Sequence, residues 1–282
     1  MKRHFISILL FAIFTFASLE AQEELGYQVP KKALLDMVDI DLAPAVLSNS
    51  DNSILVMLYR PTYKSIKTLS RKELRIAGLR VDPQRFIGSR STYYNKLTLV
   101  DLSQGKTPQA IQGLPDNPQL SNFSWSPDEK SIAMTHTSDT GVELWILDVT
   151  SRTARRLVKS EINAIMGNSF TWLKDSKGIL VKFIPKDRDA LIDQTTIIPT
   201  GPKITENNGE KAQNRTYQDL IKNPTDAKNF TQLSRSELRL VDMDGKNSPF
   251  LETRMYGSVR MSPDGNYVLV DFIKPPCSYL VP

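Results

Sequence analysis

The stretch "NFSWSPDEKSIAMTHTSDTGVELWILDVTSRTARRLV", residues 122–158, decides the fold. Phe123 and Trp125 share one face of a predicted strand, and Ile132, Met134 and His136 alternate along a second. Between them the Ser126-Pro127-Asp128-Glu129 segment predicts a tight turn, because Pro127 presets φ and Asp128 can bond the turn's own backbone. A third strand, "VELWILD", sets Val142, Leu144 and Ile146 against Trp145 and Leu147, so both faces are apolar. Such a strand belongs between two stacked sheets.

Outward from this stretch the pattern recurs. Asp175 in "SFTWLKDSKGILVKF" stands 47 residues after Asp128, and Asp148, closing "WILD", stands 47 after Asp101, closing "LTLVD". Two strand types with one spacing indicate a repeat of about 40–50 residues with four strands each, the period of a β-propeller blade. Fainter copies are "SNSDNSILVMLYR", "SELRLVDMDGK" and "GSVRMSPDGNYVLVDF". The expectation is an all-β, incomplete β-propeller of three blades plus the start of a fourth. The stretch 37–46 is the internal segment that would complete the last blade if the ring closed on itself.

Two insertions interrupt the period. In residues 61–81, Ser70 is followed three residues later by Glu73, with Leu69 and Leu74 flanking them. This capping box and hydrophobic staple predict a short helix from Arg71 to a stop at Gly78. Residues 184–233 are polar, with a short helix expected around Tyr217, Leu220 and Ile221. Loops of this size commonly serve a mouth or an interface.

Composition excludes several classes. Of 282 residues, 40% are hydrophobic and 24% charged, an ordinary globular balance that argues against disorder. The formal charge of +5 comes from cations scattered among acids; the densest basic stretch, Arg152, Arg155, Arg156 and Lys159, reads as a solvated blade edge, so no nucleic-acid partner is expected. At the start, Lys2 and Arg3 precede an apolar run from residue 5 to 16 and the small-residue segment ending at Ala21. These features predict a signal peptide over 1–21, cleaved after Ala21. An apolar stretch of twelve positions falls short of the roughly 20 residues that span a bilayer, so no stable membrane anchor is expected after signal removal. The mature chain, 22–282, would be exported to the periplasm or beyond.

Chemistry-bearing motifs are sparse. The nucleophile elbow G-x-S-x-G does not occur, and once His4 leaves with the signal, His136 is the only histidine. His136 lies in a strand pattern and reads as a strand-facing side chain. One histidine and the lone Cys277 cannot make a usual zinc site, and a single cysteine forms no internal disulfide. Asp39 and Asp41, or Asp242 and Asp244, lack the closing glutamate of a calcium loop; Asp242, Asp244 and Gly245 read better as a hairpin turn. Trp125, Trp145 and Trp172 read as blade packing. No catalytic, cofactor-binding or metal-ligating residue is assigned, and no cofactor is expected.

Three segments resemble the N-terminal half of the glutamyl endopeptidase group within the prolyl oligopeptidase family of serine peptidases. They are "LSRKELRIAGLRVDPQ" with the following "SRSTYYNKLTL", "GPKITENNGEKAQNRTYQDLIKN", and "SPDGNYVLVDFIKPPCSYLVP". The resemblance implies a propeller that caps a C-terminal α/β-hydrolase domain and substrates with a Glu before the scissile bond. No catalytic residue of that family has a counterpart here, so the expectation is a propeller part truncated before the hydrolase domain. Its implied partners are a peptide substrate or that missing domain. The rival expectation is a stand-alone periplasmic module, like TolB, that binds protein or a small ligand.

Overall fold

The computed structural model describes residues 26, 28–193, 201, 209 and 218–277. The expected signal peptide and Tyr217 lie outside the described residues. Residues up to Asp41 form one unit, whose described structure is helix α1 (Lys32–Val38) with an exposed Lys32–Asp36 pair one turn apart.

The second unit, from Leu42 onward, is built from antiparallel meanders. The first blade is β1 (Ala45–Ser48), β2 (Ile54–Tyr59), β6 (Lys96–Asp101) and β7 (Gln109–Ala110). The second is β8 (Leu120–Trp125), β9 (Ser131–Thr137), β10 (Val142–Asp148) and β11 (Thr153–Ile162). The third comprises β12 (Phe170–Trp172), β13 (Gly178–Phe183), β14 (Ser236–Asp242) and the first half of β15 (Asn247–Met261). From Met255 onward β15 changes partner and pairs with β16 (Val268–Ile273), opening a fourth blade. Three blades and the start of a fourth are therefore present, as the repeat predicts.

Side-chain alternation explains why the blades stack. In β10, Trp145 and Leu147 join Val56, Leu58 and Leu99 of the first blade, while Val142, Leu144 and Ile146 join Trp172, Ile179 and Val181 of the third. The third blade repeats the device, sending Val181 back to the second blade and Leu180 forward to Tyr256 and Val259. Both faces of β10 and of β13 are thus consumed by neighbours, which is what an apolar period-2 pattern on two faces requires. The close stacking also dictates Gly113: its φ is +73°, and an added Cβ would stand 2.3 Å from the Ala154 carbonyl oxygen of the next blade.

The Asp turns recur as predicted. Asp51, Asp128, Asp175 and Asp264 each accept a backbone N–H two residues onward, and the residue after each aspartate has positive φ. Hydroxyl bonds from Ser53, Ser126 and Ser262 hold the Asp51, Asp128 and Asp264 carboxyls below the usual range. Neighbouring turns are tied together: Ser50 N–H donates to Glu129 Oε1 at 2.8 Å and Asp128 N–H to Ser176 Oγ at 3.0 Å. Asp242 likewise receives the Asp244 and Lys246 amides in the expected hairpin turn.

Three local expectations need correction. Residues 71–78 are not helical: α2 (Ile66–Leu69) ends before them, and β3 (Leu74–Ile76) pairs with β4 (Leu79–Asp82) and then β5 (Ile87–Gly88). Ala77 and Gly78, at φ +53° and +75°, make the two-residue turn that right-twisted hairpins favour. Glu73 does not cap a helix because Ser89 Oγ and Arg75 claim its carboxylate at 2.6 and 2.9 Å. In the second insertion the helix, α3 (Pro224–Ser234), starts beyond Leu220 and Ile221. Asn223 caps it through the Asp226 N–H and Pro224 occupies its first turn. Finally, part of the stretch 37–46 belongs to β1, which pairs with β2 in the first blade and not with the last.

Candidate functional site on the insertion face

Both insertions leave the same connection of their blades. Residues 60–95 join the second and third strands of the first blade, and 184–235 join those of the third. The intervening second blade has only a short turn over residues 138–141. The insertions therefore emerge on one face, flanking that turn, and they meet. Gly78 N–H donates to the Asp219 carbonyl at 2.9 Å, and Arg80 lies 3.4 Å from the Asp219 carboxylate. Asp139 in the short turn receives Lys67 at 2.9 Å and Arg71 at 2.8 Å from the first insertion. Lys67 bonding and charge, with Arg71 charge, keep the Asp139 carboxyl below its ordinary range. Beneath this bridge Ile76, Val81 and Phe86 pack with Ile165, Phe230 and Leu233, so the face carries its own apolar core.

A charged cleft of about 530 Å³ opens in the first insertion. Its floor is the buried pair Arg85 and Asp82, with Nε and Oδ2 2.7 Å apart. Asp82 Oδ1 also accepts the Gln84 and Arg85 amides, so both carboxylate oxygens of the buried pair are hydrogen-bonded. Glu73 sits among Arg75, Arg80 and Arg90 at 2.9, 3.7 and 3.8 Å. Its carboxyl is held low, first by the Ser89 hydroxyl bond and then by the arginines. Lys64 and Thr68 line both this cleft and a neighbouring one of about 640 Å³, whose walls include Pro61, Tyr63, Tyr93 and Pro118. The sequence marked the insertion but not these residues. The Asp-x-x-Arg spacing of Asp82 and Arg85 was the available signal.

His136 lies in the second blade, away from any nucleophile elbow. Its Nδ1 is 3.2 Å from Glu143 Oε2, and its ring meets Trp145 edge-on at 6.0 Å. Glu143 also accepts Trp145 Nε1 at 2.8 Å and Arg156 at 3.1 Å. Burial pushes the Glu143 carboxyl up, and these three donors outweigh it, leaving it below its ordinary value. Ser160 Oγ bonds Glu143 at 3.3 Å, so the carboxylate stands between hydroxyl and imidazole; a serine relay needs the imidazole in the middle. Arg155, Arg156 and Lys159 of the basic stretch are exposed on β11, the outermost strand of its blade, and Arg152 lies in the turn before it. Trp145 and Trp172 are buried in the blade seams. Among the described residues there is no group of three or more His, Cys, Asp or Glu placed to hold a metal ion, and no helix long and apolar enough to cross a membrane.

These features define a propeller portion whose blades carry two insertions on one face. No protein-family model matches the chain. It is 32% identical over 271 residues to a probable chloroplastic glutamyl endopeptidase of Oryza sativa subsp. japonica, and 31% identical over 269 residues to one of Arabidopsis thaliana. The matches cover 92% and 91% of this chain and only 29% and 28% of those relatives. The chain is therefore similar to a propeller part of the glutamyl endopeptidase group and spans less than a third of the length of either relative. Among solved structures, an acylaminoacyl peptidase in complex with a peptidyl chloromethyl ketone aligns at TM-score 0.39 and 12% identity, covering 83% of this chain and 28% of that one. A putative TolB from Agrobacterium tumefaciens aligns at 0.35 and 14%, covering 82% and 69%.

Proposed function

We propose that this chain is the non-catalytic propeller part of an exported serine peptidase of the glutamyl endopeptidase type. In this reading residues 1–21 are a signal peptide and 22–282 a partial propeller. The insertion face admits and positions peptides for an α/β-hydrolase domain that holds the nucleophile. The carrying observation is the identity over nine-tenths of the chain to under one-third of each relative. The two insertions support the assignment of face, since they build a separately packed, cleft-bearing surface on one side of the blades. Peptide turnover tests it: residues 22–282 alone should not cleave a quenched peptide containing Glu, whereas the same residues joined to a family hydrolase domain should cleave it. Turnover by the propeller alone would refute the assignment. Export is checked by the intact mass of extracytoplasmic protein, which should begin at Gln22.

A further inference from the structure

The cleft of about 640 Å³ beside the charged one has a different chemistry. No Asp or Glu and no Leu, Ile, Val or Met is among the described residues that line it. Its apolar surface comes from rings instead, those of Tyr63, Tyr93, Pro61 and Pro118. Tyr93 also packs against the core between the second and third blades, which fixes that ring in place. Tyr63, in the loop that leaves β2, stays 65% exposed. The cations here are unspent, whereas Arg71, Arg75 and Arg85 nearby are held by Asp139, Glu73 and Asp82 at 2.8, 2.9 and 2.7 Å. Arg60 and Lys64 are exposed and enter no ion pair among the described residues. Amides complete the lining. Asn95 and Asn117 make no side-chain hydrogen bond among the described residues, and Gln119 spends only its carbonyl oxygen, on Arg85 at 3.4 Å.

A nucleobase stacks on an aromatic ring through its π-face, and an Asn or Gln amide presents the paired donor and acceptor that match an adenine edge. A guanidinium with an ammonium suits a phosphate dianion, and the absence of a lining carboxylate leaves that charge unopposed. A wholly apolar ligand would desolvate the same cations and amides without pairing them. We propose that this cleft binds an adenine nucleotide, with the base on Tyr63 and Tyr93 beside the Asn95 and Asn117 amides, and the phosphate on Arg60 and Lys64. The cleft volume falls within the roughly 300–1,000 Å³ of small-molecule sites. Two unpaired cations suffice for one phosphate group, whereas a nucleic-acid strand needs a stripe of them, so the ligand is a single nucleotide. The site stands apart from the peptide-handling reading and needs no catalytic domain.

The test is NMR and calorimetric titration of the full chain with adenosine 5′-monophosphate, adenosine, ribose 5-phosphate and inorganic phosphate, at about 20 mM and about 150 mM salt. The monophosphate should bind, with adenosine and ribose 5-phosphate each about tenfold weaker or more, because each keeps only one half of the recognition. Added salt should weaken the monophosphate and leave adenosine unchanged. Its adenine protons should shift upfield on binding, the mark of a base lying over a tyrosine ring. Arg60→Gln with Lys64→Gln should reduce the monophosphate to the affinity of adenosine, while adenosine itself binds as before. Tyr63→Ala should weaken the monophosphate and adenosine alike, about fivefold or more, and leave ribose 5-phosphate unchanged. All three positions are exposed, so folding is retained in the variants, and circular dichroism checks this. Absence of binding at millimolar monophosphate would overturn the inference, as would inorganic phosphate binding equally well, which marks a plain anion site. Binding of neutral maltose as tightly as the monophosphate would overturn it in favour of a carbohydrate site, and full affinity in the double variant would place the nucleotide elsewhere.

Discussion

Two-faced packing of β10 makes a quantitative prediction. Leu144 and Leu147 are both fully buried and lie three residues apart in one strand, yet Leu147 enters the seam with the first blade and Leu144 the seam with the third. Truncation to alanine removes three carbons from each. At about 0.8 kcal/mol per buried methylene, the transfer loss is about 2.4 kcal/mol, and an unrelaxed cavity raises it to about 3 kcal/mol. The sites are separated by roughly 10 Å along the strand and share no seam, so their effects should add to within about 0.5 kcal/mol. Leu147→Ala with Leu99→Ala, which share one seam, should instead show a coupling of about 0.5–1 kcal/mol or more. Equilibrium urea unfolding reads this directly; with a slope of about 3 kcal/mol/M, each single variant shifts the midpoint by about 1 M. A loss below about 1 kcal/mol at either site, or strong coupling between 144 and 147, would show that the strand is not packed between two blades.

Glu143→Gln should cost about 2 kcal/mol at neutral pH, since Trp145, His136 and Arg156 lose a charged acceptor. The Glu143 carboxyl is held low in the fold, so its stabilisation is present above the unfolded carboxylate range and fades as pH falls through the folded value; the variant should lose part of the acid slope in pH-dependent melts. Lys182 is buried with its Nζ donating to the Met166 and Gly257 carbonyls, and burial pulls its pKa down to about 8. Between pH 8 and the unfolded value of 10.5 the unfolded chain holds a proton that the fold does not, so stability should rise with pH across that window; Lys182→Met should flatten the rise, and an unchanged slope would count against this burial.

What the sequence disclosed was local. Asp128 and Asp175 advertise their turns because each carboxylate serves its own backbone within a few residues, and the apolar alternation of residues 142–147 follows from a strand's period of two. The misread segment at Ser70 and Glu73 is the opposite case. Its capping signal is real, but Glu73 is claimed by Ser89, sixteen residues on, and the Ala77-Gly78 turn and the alternation around it then favour a hairpin. The helix at Pro224 carried a legible start, Asn223-Pro224-Thr225-Asp226, which the apolar spacing around Leu220 obscured. The insertion-face core could not be read at all, because Ile76, Ile165, Leu233 and Met255 are brought together from segments far apart in the sequence.

If this chain supplies propeller and not nucleophile, its serines should be inert toward reagents that trap an activated hydroxyl. Intact-mass analysis of residues 22–282 after exposure to a fluorophosphonate serine probe tests this most directly. The folded chain should carry no adduct. Stoichiometric labelling of one serine, lost on heat denaturation, would contradict the propeller assignment.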